Sequence, residues 1–261
     1  MIKKNNIKNN LSSFKAKDLT GIITPPPDKS ISHRALLFSS LAIGKSAISN
    51  MLDSADVLNM VKALKALGVK IINKNNVYYV IGVGLNGFST PNKFIYCGNS
   101  GTLARILLGA IGGSKIFATF SGDTSLSSRP MDRVIKPLKK MGIYFDSINN
   151  KLPLIIKGSS DILPIKYTSP ISSAQVKTTI LLAGLNARGT TEIIEPYSSR
   201  NHSENLLKYY GADIKYNTKK LGKNVISITG GVTLKSRNTT VPGDISSAAF
   251  ALVAATIIPG S

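Results

Sequence analysis

Cysteine is almost absent, with Cys97 alone among 261 residues. A single thiol excludes an intramolecular disulfide and fits a reducing compartment. Histidine is nearly as scarce, with only His33 and His202. That leaves Cys97 no metal-ligating set, and neither histidine has the Ser/Asp surroundings of a nucleophilic triad. The longest apolar run, residues 248–258, is too short to cross a bilayer. The opening Met-Ile-Lys-Lys-Asn-Asn has charge but no apolar stretch behind it, so no secretory signal is expected there. Acidic residues are few: 13 Asp and Glu against 33 Lys and Arg, a formal net charge of +20.

What is present reads as an ordinary globular chain, 43% hydrophobic and 18% charged, long enough for one large domain or two smaller ones. The positive charge suggests a nucleic-acid-binding protein as one reading. However, the lysines are scattered among Asn and Ile, with no aromatic stacking motif beside them. Most read as solvated surface whose field would also draw in small anions.

The chain is organised around residues 25–42. Three prolines, Pro25–Pro27, end an extended segment for which residues 22–24 are a strand candidate. Asp28 and Ser30 are both suited to cap the helix that follows, with an apolar face of Ile31, Ala35, Leu36, Phe38 and Leu41. Lys29 and Arg34 stand in its first turns, where the helix dipole disfavours a cation. An anion held between them and the free backbone N–H groups would resolve the conflict. The competing reading is two solvated basic side chains on a surface helix.

The same order of elements recurs. Helix starts at Ser30, Gly101 and Ser173 are each followed by a strand, a helix closed by Gly68, Gly142 or Gly211, and a hairpin. A cation stands four residues past each start, at Arg34, Arg105 and Lys177. A period near 70 residues, each unit reading βαβαββ, predicts three α/β units closing on one another, with helix N-termini facing a common cleft. A fourth round opens at 243–250 with a single helix, and is expected to be the start of further chain. The first ten residues read as disordered.

Other motifs stay open on residues alone. Gly82-Val-Gly-Leu-Asn-Gly87 has dinucleotide-binding spacing, but Phe88-Ser-Thr-Pro91 follows where a helix is required, so it reads as a flexible turn. Arg129 and Arg133 either meet an anion or pair with Asp123 and Asp132. Ser172, Ser173 and Gln175 offer more polar groups than a helix cap needs. Ser198, Ser199 and Arg200 precede another helix, where Ser203 and Glu204 also fit simple capping.

Taken together, residues 28–36, Gly98-Asn-Ser-Gly-Thr102, Arg129-Pro-Met-Asp-Arg133, Ser172-Ser-Ala-Gln175 and Ser199-Arg-Asn-His202 resemble the 5-enolpyruvylshikimate-3-phosphate synthase family, from about Gly21 onward. The resemblance implies an α/β (α+β) enolpyruvyl transferase-like fold of two domains, each of three βαβαββ units. Residues 1–20 would start the lower domain, 21–241 form the upper one, and 242–261 return to the lower. It implies transfer of the enolpyruvyl group of phosphoenolpyruvate to the 5-hydroxyl of shikimate 3-phosphate, with no metal or organic cofactor. Lys29 would touch both substrates. Ser30, Arg34, Ser173, Ala174, Gln175 and Arg200 would hold shikimate 3-phosphate, and Asn99, Gly101, Arg129 and Gln175 would line the phosphoenolpyruvate site. Asn201 stands where that Arg200 branch usually has Asp.

The family's acid and base carboxylates would lie outside these residues, so the chain alone is expected to be inactive or nearly so. A cytoplasmic enzyme is implied, a monomer at full length, with no nucleic-acid or membrane partner. The related UDP-N-acetylglucosamine enolpyruvyl transferases are the nearest rival. They use a reactive Cys in a mobile loop, whereas Cys97 directly precedes the Gly98–Thr102 turn.

Overall fold

Three rounds of the same element order build most of the chain. The computed structural model describes residues 12, 14, 17–220 and 223–261. They form two compact units, one of residues up to 26 together with 243–261, the other of residues 27–242. In the larger unit the first round is α1 (Lys29–Leu41), β1 (Ile43–Ser49), α2 (Ala55–Ala66), β2 (Lys70–Lys74) and β3 (Val77–Val83). The second is β4 (Ile95–Tyr96), α3 (Gly101–Gly112), β5 (Phe117–Ser121), α4 (Thr124–Ser128), α5 (Asp132–Lys140), β6 (Tyr144–Ser147) and β7 (Leu154–Lys157). The third is β8 (Lys166–Thr168), α6 (Ala174–Gly184), β9 (Thr190–Glu195), α7 (His202–Tyr209), β10 (Asp213–Lys220) and β11 (Lys223–Thr229). A short β12 (Thr239–Thr240) ends the larger unit, and α8 (Ile245–Ile257) lies in the smaller one.

Each round folds into a four-stranded sheet of one topology, β12-β1-β3-β2, β4-β5-β7-β6 and β8-β9-β11-β10. The first pair is parallel and the others antiparallel. The first round therefore takes its leading strand from the far end of the unit. Ile48 and Ser49 pair with Thr239 and Thr240, and the Asn50 side chain donates to the Val241 carbonyl at 2.7 Å. Residues 22–24 are not a strand. The edge of β1 is already occupied, and Ile22 is fully exposed. The hairpin between β2 and β3 turns on Asn75 and Asn76 at φ +52° and +59°. That left-handed pair matches strand twist and suits Asn.

Asp28, Ser100 and Ser173 each accept a hydrogen bond from the backbone N–H three residues on, and so open α1, α3 and α6. Ser30 lies inside α1 instead of capping it. Counted from these caps, Arg34, Arg105 and Lys177 stand six, five and four residues in, so the three cations are not equivalent positions. The three helices are buried nearly all round, α1 from Ser32 to Leu41 without a break, where the sequence suggested one apolar stripe. In α2 the inward face is Val57, Met60, Val61, Ala63 and Leu64, and Ala55 is exposed. Pro130 precedes α5, and the short α4 lies between β5 and α5. The apolar side chains of α8 stay exposed, Phe250 at 83%. Among the described residues no helix is long and apolar enough to cross a membrane.

The glycine-rich stretch at 82–87 has a packing explanation. Gly82 meets the end of α1 so closely that a Cβ there would collide with the Ser39 and Ala42 carbonyls. Gly158 and Gly230 do the same against the ends of α3 and α6. Gly84 has φ +82° and a Gly87 Cβ would strike the Val83 carbonyl, so the segment is a close-packed turn, not a flexible one. Gly82→Ala is expected to lower stability by about 1–3 kcal/mol in urea unfolding. An unchanged midpoint would contradict this account of the contact.

Candidate functional site

Four helix N-termini converge on one cleft of about 280 Å³ in the larger unit. Ser30 and Arg34 come from the first turns of α1, and Thr102 from the first turn of α3. Ser173, Ala174 and Gln175 open α6, and Ser199, Arg200 and His202 lead into α7. Each of these helices is at least eight residues long and turns the positive end of its dipole inward. Among the described residues the lining holds cations, hydroxyls and an amide, and no Asp or Glu.

Arg34 is a buried cation, and among the described residues no ion pair joins it to a carboxylate. Its Nε donates to Ser203 Oγ at 2.7 Å, Nη1 to the Ser30 carbonyl at 3.0 Å, and Nη2 to Thr178 Oγ1 at 3.0 Å. Burial pushes its pKa down to about 10; Glu204 and Asp28 pull it upward and Arg200 lowers it. The guanidinium therefore stays charged at neutral pH while its position is fixed by neutral acceptors. That is the state in which a cation attracts an incoming anion most strongly.

Asn99, Gly101 and Arg129 lie beside the cleft, not in its lining. Arg129 Nη2 donates to Asn99 Oδ1 at 2.6 Å and to Ser125 Oγ at 3.0 Å, and Asn99 Nδ2 donates to Asp123 Oδ2 at 2.8 Å. The Asp123 carboxyl is held below its usual range by the Leu126 N–H, then by Asn99. No ion pair joins Arg129 or Arg133 to Asp123 or Asp132 among the described residues. A Cβ on Gly101 would approach Arg105 Nη1 to 2.6 Å. Arg105 Nη1 in turn donates to Gln175 Oε1 at 2.9 Å, and Gln175 Nε2 to Thr102 Oγ1 at 3.0 Å. Burial lowers the Arg105 pKa to about 10, helped by Arg133 and Arg129. Gln175 thus ties the two groups of residues together.

Lys29 and Lys177 face elsewhere. Lys29 Nζ pairs with Asp56 at 3.2 Å on a half-exposed surface outside the lining. Lys177 is buried, paired with Glu195 at 3.0 Å and Glu204 at 2.6 Å. Cys97 is buried, and burial raises its thiol pKa, so it is held protonated. Sequence reasoning did not single out Thr102, Ser199 and His202 as site residues, although all three fall inside the quoted motifs. It also missed Thr178, Ser203 and Glu195; a carboxylate at the end of the apolar run Ile193-Ile194 was the available signal for the last.

The threefold βαβαββ unit, with four helix N-termini around a cleft lined by cations and hydroxyls, defines an α/β protein with a polar, basic cleft. The chain belongs to the EPSP synthase (3-phosphoshikimate 1-carboxyvinyltransferase) family, whose model matches residues 14–261. It is 46% identical over 248 residues to the 3-phosphoshikimate 1-carboxyvinyltransferase of Acidiphilium cryptum, covering 94% of this chain and 56% of the relative. The enzyme of that name from Nitrobacter winogradskyi is 46% identical over 258 residues, covering 96% and 58%. The EPSP synthase of Acinetobacter baumannii superposes with a TM-score of 0.84 at 40% identity, over 95% of this chain and 56% of that one. The chain thus spans somewhat over half the length of the relatives it matches.

His33, one residue before Arg34, supplies a pH test. It is buried, with Nε2 3.5 Å from Ser100 Oγ and Nδ1 without a hydrogen-bond partner among the described residues. Burial drives its pKa from 6.5 to about 3; Asp56 opposes the shift, and Arg34 and Lys29 add to it. The unfolded chain takes up this proton near pH 6.5 and the folded chain only near pH 3. The His33 contribution is therefore complete above pH 6.5 and is lost as pH falls through that window, at up to about 1.4 kcal/mol per pH unit. His33→Gln should flatten the loss of stability between pH 6.5 and 4. An unchanged slope would show that His33 is not held neutral.

Proposed function

We propose that this chain serves the transfer of the enolpyruvyl group from phosphoenolpyruvate to the 5-hydroxyl of shikimate 3-phosphate, giving 5-enolpyruvylshikimate 3-phosphate and phosphate. Within that reaction its own part is to anchor the shikimate phosphate. The observation that carries the reading is Arg34, a buried guanidinium at the meeting point of four helix N-termini beside Ser30, Ser173 and Arg200. A dianionic phosphate is the ligand that such a set of donors suits.

In this reading Ser30, Arg34, Ser173, Ala174, Gln175 and Arg200 hold shikimate 3-phosphate. Asn99, Gly101 and Arg129, with Gln175, line the phosphoenolpyruvate position. Gln175 is suited to sense both, since its amide already bridges Arg105 and Thr102. Lys29 joins them by giving up Asp56, a half-exposed pair whose loss costs about 0–1 kcal/mol. Residues 21–241 then act as the shikimate 3-phosphate-binding domain, and residues 1–20 and 242–261 belong to a second domain. The division into compact units supports the boundary near residue 242, while residues 21–26 group with the smaller unit. The reading carries with it a cytoplasmic, monomeric enzyme acting on two small anions without metal or organic cofactor.

Calorimetric titration of shikimate 3-phosphate into the purified chain is expected to give saturable one-to-one binding. Arg34→Ala should weaken it about 100-fold or more. Equal affinity for the variant would remove Arg34 from the site, and no binding by the folded chain would overturn the anchoring role.

A further inference from the structure

Beneath the cleft lies a buried ionic cluster for which the reaction itself has no evident use. Lys177 of α6, Glu195 at the end of β9 and Glu204 of α7 meet in the interior with side chains at most 8% exposed. One lysine faces two carboxylates. A lone buried ion pair is weak evidence for stability, because desolvation offsets much of the attraction. The second carboxylate makes a stability role still less favourable and asks for another explanation.

The hydrogen bonds of Glu195 supply one. Oε1 accepts from the backbone N–H of Ser173 at 3.2 Å and from Ser199 Oγ at 2.8 Å, and Oε2 lies 3.0 Å from Ser199 Oγ. The same Oε2 is the atom paired with Lys177. One carboxylate therefore reaches the first residue of the α6 cap, the loop carrying Arg200, and the lysine that fixes its own place. Ser172 Oγ reinforces the join, donating to the Tyr197 carbonyl at 2.6 Å and accepting from the Tyr197 N–H at 2.9 Å.

We propose that Glu195 is a positioning residue for the anion cleft: anchored by Lys177, it sets the relative placement of the α6 N-terminus and the Ser199–Arg200 loop. Lys177, itself paired with Glu204, holds the carboxylate from behind, and neither residue lines the cleft. The proposal rests on the cleft binding shikimate 3-phosphate. It adds that its affinity for that ligand depends on a residue that never touches it.

Glu195→Gln isolates the claim. It leaves Lys177 paired with Glu204, so the interior keeps a balanced ion pair and the melting temperature should change little. Gln retains one acceptor for two donors and offers an amide N–H₂ toward Lys177. Shikimate 3-phosphate affinity is expected to fall about 10- to 100-fold, the scale of a lost hydrogen bond to a charged group. In an Arg200→Ala background the same change should cost about threefold or less, because the loop it positions no longer carries the contact. A variant that merely loosened the fold would lower affinity by the same factor in both backgrounds, and that result would overturn the proposal. So would unchanged affinity in folded Glu195→Gln. If Glu195→Gln does not fold, Glu195→Asp takes its place, keeping the charge for Lys177 but shortening the reach to Ser199; failure of both to fold would assign Glu195 to stability alone. Wild-type chain that does not bind shikimate 3-phosphate would overturn the substrate reading and this inference with it. Normal binding by wild type and variant alike would overturn the positioning role only.

Discussion

A buried positive charge held by uncharged partners is the constraint around which the larger unit is arranged. Arg34 sits inside α1, out of water, with its guanidinium satisfied by Ser203, Thr178 and the Ser30 carbonyl. Such a group is tolerated only if the surroundings supply compensating negative charge at longer range. Glu204 and Asp28 do so, both raising its pKa against the effect of burial. The compensation is incomplete by design of the contacts, since neither carboxylate touches the guanidinium. The cleft above is thereby left electropositive, with four helix dipoles adding to the same field.

The repeat explains why those dipoles meet. Each βαβαββ unit presents its first helix through a capped N-terminus, at Asp28, Ser100 and Ser173. Close crossings then bring the three helices together. A Cβ on Gly109 of α3 would strike the Thr179 carbonyl of α6, so only glycine permits that approach. Gly82, Gly158 and Gly230 perform the matching service at the other end, where the last strand of each unit passes the helix C-terminus. The geometry of the site thus follows from packing that is repeated three times.

Much of this was legible in the chain. Gly101 and Ser173 read as helix starts and Gly68, Gly142 and Gly211 as helix ends, because each rests on chemistry within a few residues. The motifs also named most residues that the structure gathers in the cleft. What escaped depends on contacts far apart in sequence. Thr239 and Thr240 carry no strand signal of their own, yet they complete the first sheet, 191 residues from their partners. Ser30 and Asp28 both fit a cap, and only the hydrogen bond to Ile31 decides between them. Lys177 looked equivalent to Arg34 by spacing, but it stands two residues nearer its helix cap and turns into the interior toward Glu195 and Glu204. A buried lysine cannot be told from an exposed one until its carboxylates are placed.

The account stands on one statement, that the cleft recognises the phosphate of its ligand and not the ring that bears it. Thermal unfolding in the presence of shikimate 3-phosphate or of unphosphorylated shikimate, at equal concentration, tests this directly. A ligand that binds only the folded chain raises the midpoint by mass action. The account predicts a rise with shikimate 3-phosphate and none with shikimate. Equal rises would place recognition on the ring and contradict it.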